Sequence, residues 1–329
     1  MSVLARRVAA QGLARRTATT LDVLRSWTVQ DSPPGAAAAA VMARAEMVTL
    51  GEALGDRSAV AIYNPRTATA VLPADEVAAF ATALLPPEPE DWVPVAVDAV
   101  SGALDGAVLS RDDLHEELRH RLPEELLPWC EGCQSHHARR AVLVMAGLHG
   151  RLCIAGRAGR QPAFARTDQW VAWDPPPHEE AAVALVRRYR AAYGPSDHAG
   201  LAAWAGIGVP HARALWELAG DEDEPPAPEQ AVGVRLLAAG DPLLLARDRE
   251  VLVPDKALRA RIFKPTGSPG VVLQDGTLAG LWRARKKGSR LELEVEALGA
   301  LDHDAVHAEA GRLAELRRCT SVAVGSARS

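Results

Sequence analysis

The chain twice repeats one pattern, in which helical stretches lead into two short β-prone runs on either side of a turn. In the first copy, runs 59–63 and 67–72 flank Asn64-Pro65-Arg66, and in the second, runs 152–154 and 163–166 flank a glycine-containing turn. Short β-prone runs around such a turn predict a hairpin. Helices followed by a hairpin predict a helix-turn-helix with a wing, which limits the fold to winged-helix units in tandem.

Four stretches follow from this pattern. Residues 1–90 and 91–175 are predicted to form the first and second winged helices, each with its own hairpin. Residues 176–235 contain three helical runs separated by short turns and are predicted to form a third. From residue 236 strands and turns alternate, so 236–329 is predicted to be a small β-rich domain with a terminal helix. The predicted fold class is mainly α with β wings, that is, α+β.

Local signals predict individual elements. A helix is expected over residues 3–16, and a second helix is expected to begin at Thr20 as its N-cap. Ser110 followed by Asp113 is typical of a capping box at a helix start. Residues 251–253 are β-prone and are predicted to form a strand.

The composition restricts the function classes. Of 329 residues, 48% are hydrophobic and only 4% are aromatic, which favours helices over a β-sandwich. The net charge of −5 excludes an overall basic protein, so contacts with nucleic acid have to come from local patches. Four cysteines do not make a disulfide scaffold, and no apolar run is long enough to span a membrane. We therefore expect a cytoplasmic protein without a membrane partner.

A cluster of possible metal ligands lies near the middle of the chain. Cys130 and Cys133 have the spacing of zinc ligands, and His136 and His137 follow them. Cys130, Cys133 and His137 could bind zinc, but a fourth ligand is missing and adjacent histidines rarely bind one ion together. A loop without metal is the alternative, in which His136 or His137 faces a partner. We predict no metal and no other cofactor, and no phosphate-binding or nucleophile-elbow motif occurs.

Three long stretches of the C-terminal half resemble one known family. They are LVRRYRAAYGPSDH with LAAWAG (185–198 and 201–206), LLAAGDPLLLARDR (236–249) and TGSPGVVLQDGTLAGLWR (266–283). The N-terminal half resembles it more loosely, around Val29-Gln30-Asp31 and the alanine-rich run that follows. The chain is similar over nearly its whole length to the AlkZ/YcaQ-like winged helix DNA-binding domain family.

The resemblance implies tandem winged helices and a β-rich C-terminal domain. Characterised members of that family are DNA glycosylases that remove bulky alkylated purines and unhook interstrand crosslinks. The resemblance therefore implies a monomer that acts on damaged double-stranded DNA in repair or self-resistance, at the nucleoid. Two alternatives remain open, a DNA-binding protein or regulator without catalysis and a protein-interaction scaffold.

The family motif locates the candidate catalytic residues. Members carry Gln-aliphatic-Gln or Gln-aliphatic-Asp, and the matching positions here are Thr28, Val29 and Gln30, followed by Asp31. Amide and hydroxyl groups can orient a water, and Asp31 can add negative charge. Threonine in the first position shortens the reach and removes an amide donor. The structural alternative is that Thr28 and Asp31 cap a helix while Gln30 is solvated.

Candidate DNA contacts are basic side chains in local patches. The first is the run 283–290, which holds five basic residues and no acid, and which a hairpin would direct at a phosphate backbone. Others lie near the N-terminus, at the start of a predicted recognition helix and at the first hairpin turn. The full set comprises Arg283, Arg285, Lys286, Lys287, Arg290, Arg6, Arg7, Arg139, Arg140, His136, His137 and Arg66.

Overall fold

In a computed structural model the chain divides into two compact units. The first comprises the described residues of 1–50, 189–196 and 223–329, and the second comprises those of 51–188 and 197–222. The structure describes residues 2–16, 19–26, 28–132, 134–220 and 230–326. Within these residues no helix is both long and apolar enough to cross a membrane.

The described elements are named in chain order. The helices are α1 (Val3–Ala10), α2 (Thr20–Ser26), α3 (Ala36–Arg44), α4 (Leu50–Gly55), α5 (Val77–Leu84), α6 (Trp92–Ala103), α7 (Arg111–Arg119), α8 (Arg140–Leu148), α9 (Thr167–Trp170), α10 (His178–Tyr193), α11 (His198–Ala205), α12 (Val209–Leu218), α13 (Lys256–Ile262) and α14 (His303–Leu316). The strands are β1 (Val29–Gln30), β2 (Ala59–Tyr63), β3 (Thr69–Pro73), β4 (Leu109–Ser110), β5 (Trp129–Cys130), β6 (Ser135–His136), β7 (Cys153–Ala158), β8 (Gln161–Ala165), β9 (Val234–Leu237), β10 (Gly270–Gln274), β11 (Thr277–Lys287), β12 (Arg290–Ala297) and β13 (Ser321–Ser326). Short 3-10 helices cover Glu124–Leu126 and Pro242–Leu245.

The first unit is built on a sheet with the strand order β13-β12-β11-β10-β9. Strand β13 pairs parallel to β12, and the other neighbours pair antiparallel. One cluster of buried side chains joins the sheet to α14 and α3, through residues such as Leu293, Leu313 and Met42. A second cluster includes Val8 of α1 and Val271 of β10. The five strands from residue 234 onward therefore share one sheet, which packs with the N-terminal helices of the same unit.

The second unit contains a sheet in which β3, β2, β7, β8 and β4 follow one another. Its core is formed by apolar side chains of α6, α7 and α8 together with Phe164 of β8. Both predicted hairpins are confirmed, because β2 pairs antiparallel with β3 and β7 pairs antiparallel with β8. The helix cap predicted at Ser110 is also confirmed, since Ser110 Oγ accepts a hydrogen bond from the Asp113 amide at 3.3 Å, although the Asp113 carboxylate accepts from the Ser110 hydroxyl and not from its backbone amide.

Three local predictions were wrong. Helix α1 ends at Ala10, because Gly12 takes a φ of +65° in a tight turn that closes the helix early. The side chain that caps α2 belongs to Thr19, whose Oγ1 accepts from the Asp22 amide at 3.1 Å. Residues 251–253 form a turn, in which the Val253 amide donates to the Arg249 carbonyl at 2.9 Å, so they are not a strand.

The mixed α+β class predicted from the sequence is confirmed by the helices and sheets of both units. The division into three winged helices and a C-terminal domain stays a prediction. The two compact units are a different kind of division, since each is assembled from segments that are separated in the sequence.

Candidate functional site

The stretch 28–31 is buried rather than solvated. Thr28 is 3% exposed and Gln30 is 5% exposed, and Val29 between them is fully buried. Gln30 is therefore largely buried in β1, but its amide atoms are not among those inaccessible to solvent, so the alternative of a solvated amide stays a hypothesis. Among the described residues none forms a hydrogen bond with the side-chain amide of Gln30.

The hydroxyl of Thr28 is the second polar group of this stretch. Its Oγ1 is inaccessible to solvent and has no hydrogen-bond partner among the described residues. A buried polar atom without a partner costs about 1–3 kcal/mol, and native proteins rarely keep one without a reason. Thr28 and Gln30 thus place two uncommitted polar groups, a hydroxyl and an amide, two residues apart.

Asp31 connects this stretch to α3. Its Oδ1 accepts hydrogen bonds from the amides of Gly35 at 2.7 Å and Ala37 at 3.1 Å. The carboxylate therefore caps the start of α3, as the structural alternative predicted for Asp31. A negative charge is favourable there because the first amides of a helix carry positive partial charge. Among the described residues Oδ2 has no partner, so one carboxylate oxygen stays available.

The other end of α3 is fixed by a buried ion pair. Arg44 and Asp241 are both 0% exposed, and the guanidinium donates two parallel hydrogen bonds of 2.7 Å to the two carboxylate oxygens. Arg44 Nε also donates to the Gln11 carbonyl at 2.9 Å, and Asp241 Oδ1 accepts from the Leu243 amide at 2.9 Å. Asp241 therefore has a structural role in this unit.

Gly240 brings the turn before Asp241 against the loop that precedes α3. It has a φ of +90°, and a Cβ at this position would lie 2.7 Å from the Ser32 carbonyl oxygen. Only glycine meets both demands. The loop between Gln30 and α3 is therefore held by Asp31 on one side and by the Gly240 backbone on the other.

The basic run 283–290 lies in a hairpin, as predicted. Strands β11 and β12 pair with Lys287 opposite Arg290, which leaves Gly288-Ser289 as the turn. Both lysines of the run form bonds within the unit. Lys286 Nζ donates to the carbonyls of Arg317 and Arg318, and Lys287 Nζ bonds Glu292 at 2.8 Å. A lysine ammonium has three donors, so these bonds leave each lysine a further donor, and contact with phosphate stays a prediction for both.

Acidic side chains also lie opposite the arginines of this hairpin. Arg283 is paired in register with Glu294, and Arg285 with Glu292. The bond from Lys287, followed by the charges of Arg290 and Arg285, lowers the pKa of Glu292. Arg285 and Arg290 are exposed and form no ion pair with a described residue. The outer face of the hairpin therefore alternates in charge, although the run 283–290 itself holds no acid.

The basic residues near the N-terminus differ in burial. Arg7 is 2% exposed, and its guanidinium bonds Asp248 through two contacts of 2.7 Å and the Pro195 carbonyl at 3.0 Å. This burial takes Arg7 out of the predicted DNA-contacting set, while its neighbour Arg6 is half-buried. The adjacent arginines at positions 6 and 7 gave no sign of this difference in the sequence.

The remaining predicted contacts belong to the second unit. Arg139 and Arg140 are exposed at the start of α8, with the Arg140 guanidinium 5.8 Å from the centre of the Tyr63 ring. Arg66 is exposed at the turn of the first hairpin and packs close to Gly206, which has a φ of +77°. These placements are compatible with contacts to a partner from outside.

The cysteine and histidine cluster is only partly described. His136 is exposed and its Nδ1 bonds the Leu127 carbonyl at 2.6 Å, whereas half-buried His137 packs edge-on against His115. Burial, then the neighbouring His137, lowers the pKa of His115 to about 4. Cys133 lies outside the described residues. Among those that the structure does describe, no three His, Cys, Asp or Glu side chains are grouped to hold a metal ion.

Sequence reasoning missed two groups that matter at this site. Arg317, at the end of α14, lines a cleft beside the start of α3, and its signal in the sequence is the basic pair Arg317-Arg318. The buried pair of Arg44 and Asp241 joins residues that are 197 positions apart. No local pattern reports a contact at that separation.

Comparison with known proteins gives one family. The family model described as DNA glycosylase AlkZ-like matches residues 23–316. A curated interstrand DNA cross-link repair glycosylase of Streptomyces sahachiroi is 29% identical over a region that covers 56% of this chain and 56% of that protein. The chain therefore spans little more than half the length of that relative.

A solved structure agrees with the fold. The Streptomyces sahachiroi DNA glycosylase AlkZ is similar with a TM-score of 0.75 and 23% sequence identity, over 99% of this chain and 98% of that chain. At this identity the similarity shows the fold alone.

Proposed function

Because the chain belongs to the AlkZ-like DNA glycosylase family, we propose that it is a monofunctional DNA glycosylase. Its substrate is duplex DNA that carries bulky N7-alkylated purines, including interstrand crosslinks formed through such purines. The Streptomyces sahachiroi relative, an interstrand DNA cross-link repair glycosylase, supports the crosslink as a substrate. The observation that carries the proposal is the pair of buried, uncommitted polar side chains, Thr28 and Gln30, at the motif position of the family.

The chemistry asks little of the protein. An N7-alkylated guanine carries positive charge, so its bond to the sugar is already labile. Water adds to the C1′ carbon and loses a proton, and the base leaves with the electron pair of the C1′–N9 bond as a neutral molecule. The protein therefore mainly has to orient the water and stabilise an oxocarbenium-like centre.

Each residue of the stretch has a role in this scheme. The Gln30 amide offers both an acceptor and donors, and the Thr28 hydroxyl offers one of each, so together they can orient a water. Asp31 contributes negative charge through the carboxylate oxygen that does not cap α3. The cap itself holds the stretch in one conformation, which is what orientation requires.

The partner in this proposal is double-stranded DNA. The exposed cations that support it are Arg285 and Arg290 on the hairpin β11–β12, Arg139 and Arg140 at the start of α8, and Arg66 at a turn. Contacts of this kind bind the phosphate backbone without reading the sequence. We further propose that the protein acts as a monomer in the cytoplasm, at the nucleoid, which gel filtration and fluorescence microscopy would test.

A second candidate function is DNA binding without base excision. One observation favours it, namely that Thr28 stands where the family motif has glutamine. The shorter side chain reaches less far and lacks an NH₂ group, so the water would be held by fewer contacts.

The test is base release from a duplex that contains one N7-methylguanine, followed by alkaline cleavage at the abasic site. Wild type is expected to release the base, and Gln30→Leu, which keeps the volume but removes the amide, is expected to be about 100-fold slower. Gln230→Leu changes an exposed glutamine outside the site and serves as the matched control. A crosslinked duplex then tests the larger substrate.

The outcomes separate the candidates. A Gln30→Leu variant as active as wild type would remove Gln30 from the mechanism. No base release together with salt-dependent binding to undamaged duplex would favour the second candidate. No binding to DNA at all would leave the interaction scaffold.

A further inference from the structure

A cleft of about 440 Å³ opens in the first unit beside the start of α3. This volume lies within the range of small-molecule sites in proteins. Its walls come from the loop before α3, the first turns of α3, the sheet and the end of α14. The lining residues that matter here are Gly35, Ala38, Ser268, Trp282, Arg283 and Arg317.

The charge of the cleft is one-sided. Arg283 and Arg317 contribute guanidinium groups from β11 and from the end of α14, and none of the lining residues is acidic. In a chain with a net charge of −5, two cations without a carboxylate between them mark a local positive potential.

Neither guanidinium is neutralised by the fold. Arg317 is half-buried and forms no ion pair with a described residue, and this burial lowers the pKa of its guanidinium. Among the residues that the structure describes, Arg283 donates to the Gly267 carbonyl alone, at 3.0 Å. It lies opposite Glu294 in the strand register, but the two form no ion pair. A half-buried cation without a counter-charge gains more from a bound anion than an exposed one does.

The rest of the wall is small and apolar. Ala38 and its neighbours at the start of α3 leave room close to the backbone, and the Trp282 indole nitrogen already donates to the Leu237 and Val271 carbonyls. The Ser268 hydroxyl is bonded to the backbone of Lys264. The cleft therefore offers two cations against a neutral wall, which suits a phosphate attached to a sugar.

We propose that this cleft binds a backbone phosphate of the DNA strand, with Arg317 and Arg283 as the positioning residues. The inference rests on the proposed function for its DNA partner, and it deepens that function by fixing where the strand lies. Asp31 caps the helix whose first turn lines the cleft. A phosphate held here sets the register of the strand against the stretch 28–31.

The first test compares two adjacent arginines. Arg317→Gln and Arg318→Gln each remove one positive charge at the end of α14, but only Arg317 lines the cleft. Binding of the full chain to a fluorescein-labelled undamaged duplex is measured by anisotropy between about 50 and 200 mM salt. Arg317→Gln is expected to weaken binding about fivefold at the lowest salt and to reduce the salt slope by about 0.9, the value for one lost phosphate contact.

The expected result for Arg318→Gln is an unchanged slope, and Arg317→Lys should restore most of the slope. Equal effects of the Arg317 and Arg318 variants would overturn the proposal, because net charge alone would then explain the loss. An unchanged slope for Arg317→Gln would overturn it as well.

A second pair of variants does not depend on the arginines. Ala38 is the third residue of α3, where glutamate is tolerated because it favours a helix start. Ala38→Glu and Ala38→Gln fill the cleft to the same extent, so their difference reports charge. Binding is expected to be at least about fivefold weaker for the glutamate variant at low salt, with the difference fading as salt rises. Equal binding by the two variants would contradict a phosphate in the cleft.

Two further measurements distinguish a DNA phosphate from a free phosphate, and failure of the cleft proposal from failure of the glycosylase proposal. The first measures the Tm of wild type and of Arg317→Gln with inorganic phosphate or dAMP, together with their duplex binding. If the ligand raises the Tm of wild type alone while both proteins bind the duplex equally, the cleft binds a free nucleotide, and the proposal that it binds a DNA strand is overturned. If no base is released while Arg317→Gln still lowers the salt slope, the phosphate site stands and the glycosylase proposal fails.

Discussion

Buried polar side chains lie near both ends of α3, but they differ in whether they are hydrogen-bonded. At the C-terminal end, Arg44 and Asp241 are fully buried and their charged groups are matched by close hydrogen bonds. At the N-terminal end, Thr28 and Gln30 are almost as buried, yet the described residues leave the Thr28 hydroxyl and the Gln30 amide without partners. Buried polarity that is satisfied serves the fold, and buried polarity that is unsatisfied is available for a ligand.

The largest expected loss of stability comes from a substitution at the C-terminal end of α3. Arg44→Met leaves the Asp241 carboxylate buried without its counter-charge, so the free energy of unfolding is expected to fall by about 3–5 kcal/mol. Urea denaturation followed by circular dichroism measures the loss. The double variant Arg44→Met with Asp241→Asn removes both charges and keeps an acceptor for the Leu243 amide. It should recover part of the stability, and a further loss in the double variant would contradict the argument.

The N-terminal end should respond in the opposite direction. Thr28→Val keeps the shape and removes the unpaired hydroxyl, so the free energy of unfolding is expected to rise by about 1 kcal/mol. Base release is expected to fall about 10-fold, because the same hydroxyl would orient the water. Thermal denaturation and the base-release assay measure the two effects.

A matched control for Thr28→Val exists in the same unit. Thr20 is also buried, but its Oγ1 accepts a hydrogen bond from the Thr49 amide at 3.0 Å. Thr20→Val should therefore lower the Tm. If both valine variants lower the Tm, the Thr28 hydroxyl has a partner, and the distinction between the two ends of α3 disappears.

The smallest expected effect concerns Asp31, whose carboxylate caps the start of α3. Asp31→Ala removes the acceptor for the Gly35 and Ala37 amides and should cost about 1 kcal/mol of stability. Asp31→Asn keeps the acceptor and removes the charge, so its Tm should stay close to that of wild type. A slower base release by Asp31→Asn at unchanged Tm would assign the charge to catalysis, whereas equal rates would leave Asp31 with the cap alone.

Features set by neighbouring residues were predictable from the sequence. The hairpins β2–β3 and β7–β8 and the Ser110 cap were predicted because their signals lie within a few residues of one another. The end of α1 was missed although Gly12 is a local signal, because the apolar pattern continues beyond it.

Features set by distant residues were not predictable. The parallel pairing of β13 with β12 and the ion pair between Arg44 and Asp241 depend on which segments meet in the fold. The charge of the hairpin was misjudged for a related reason. Counting only residues 283–290 left out Glu292 and Glu294, which the strand register brings opposite the arginines. The candidate residues Thr28 to Asp31 were proposed from the family motif, but the burial of Thr28 and Gln30 was not predictable from the sequence.

The discontinuous first unit has a consequence for synthesis on the ribosome. Its residues 1–50 cannot complete their packing until the segment that begins at residue 223 has been made. At about 5–20 residues per second this delay is roughly 10–40 s. During that time Arg44 has no Asp241, and the alanine-rich α3 has no sheet to pack against. Residues 1–50 of the nascent chain therefore stay incompletely packed while the segments of the second unit, which precede residue 223, are translated.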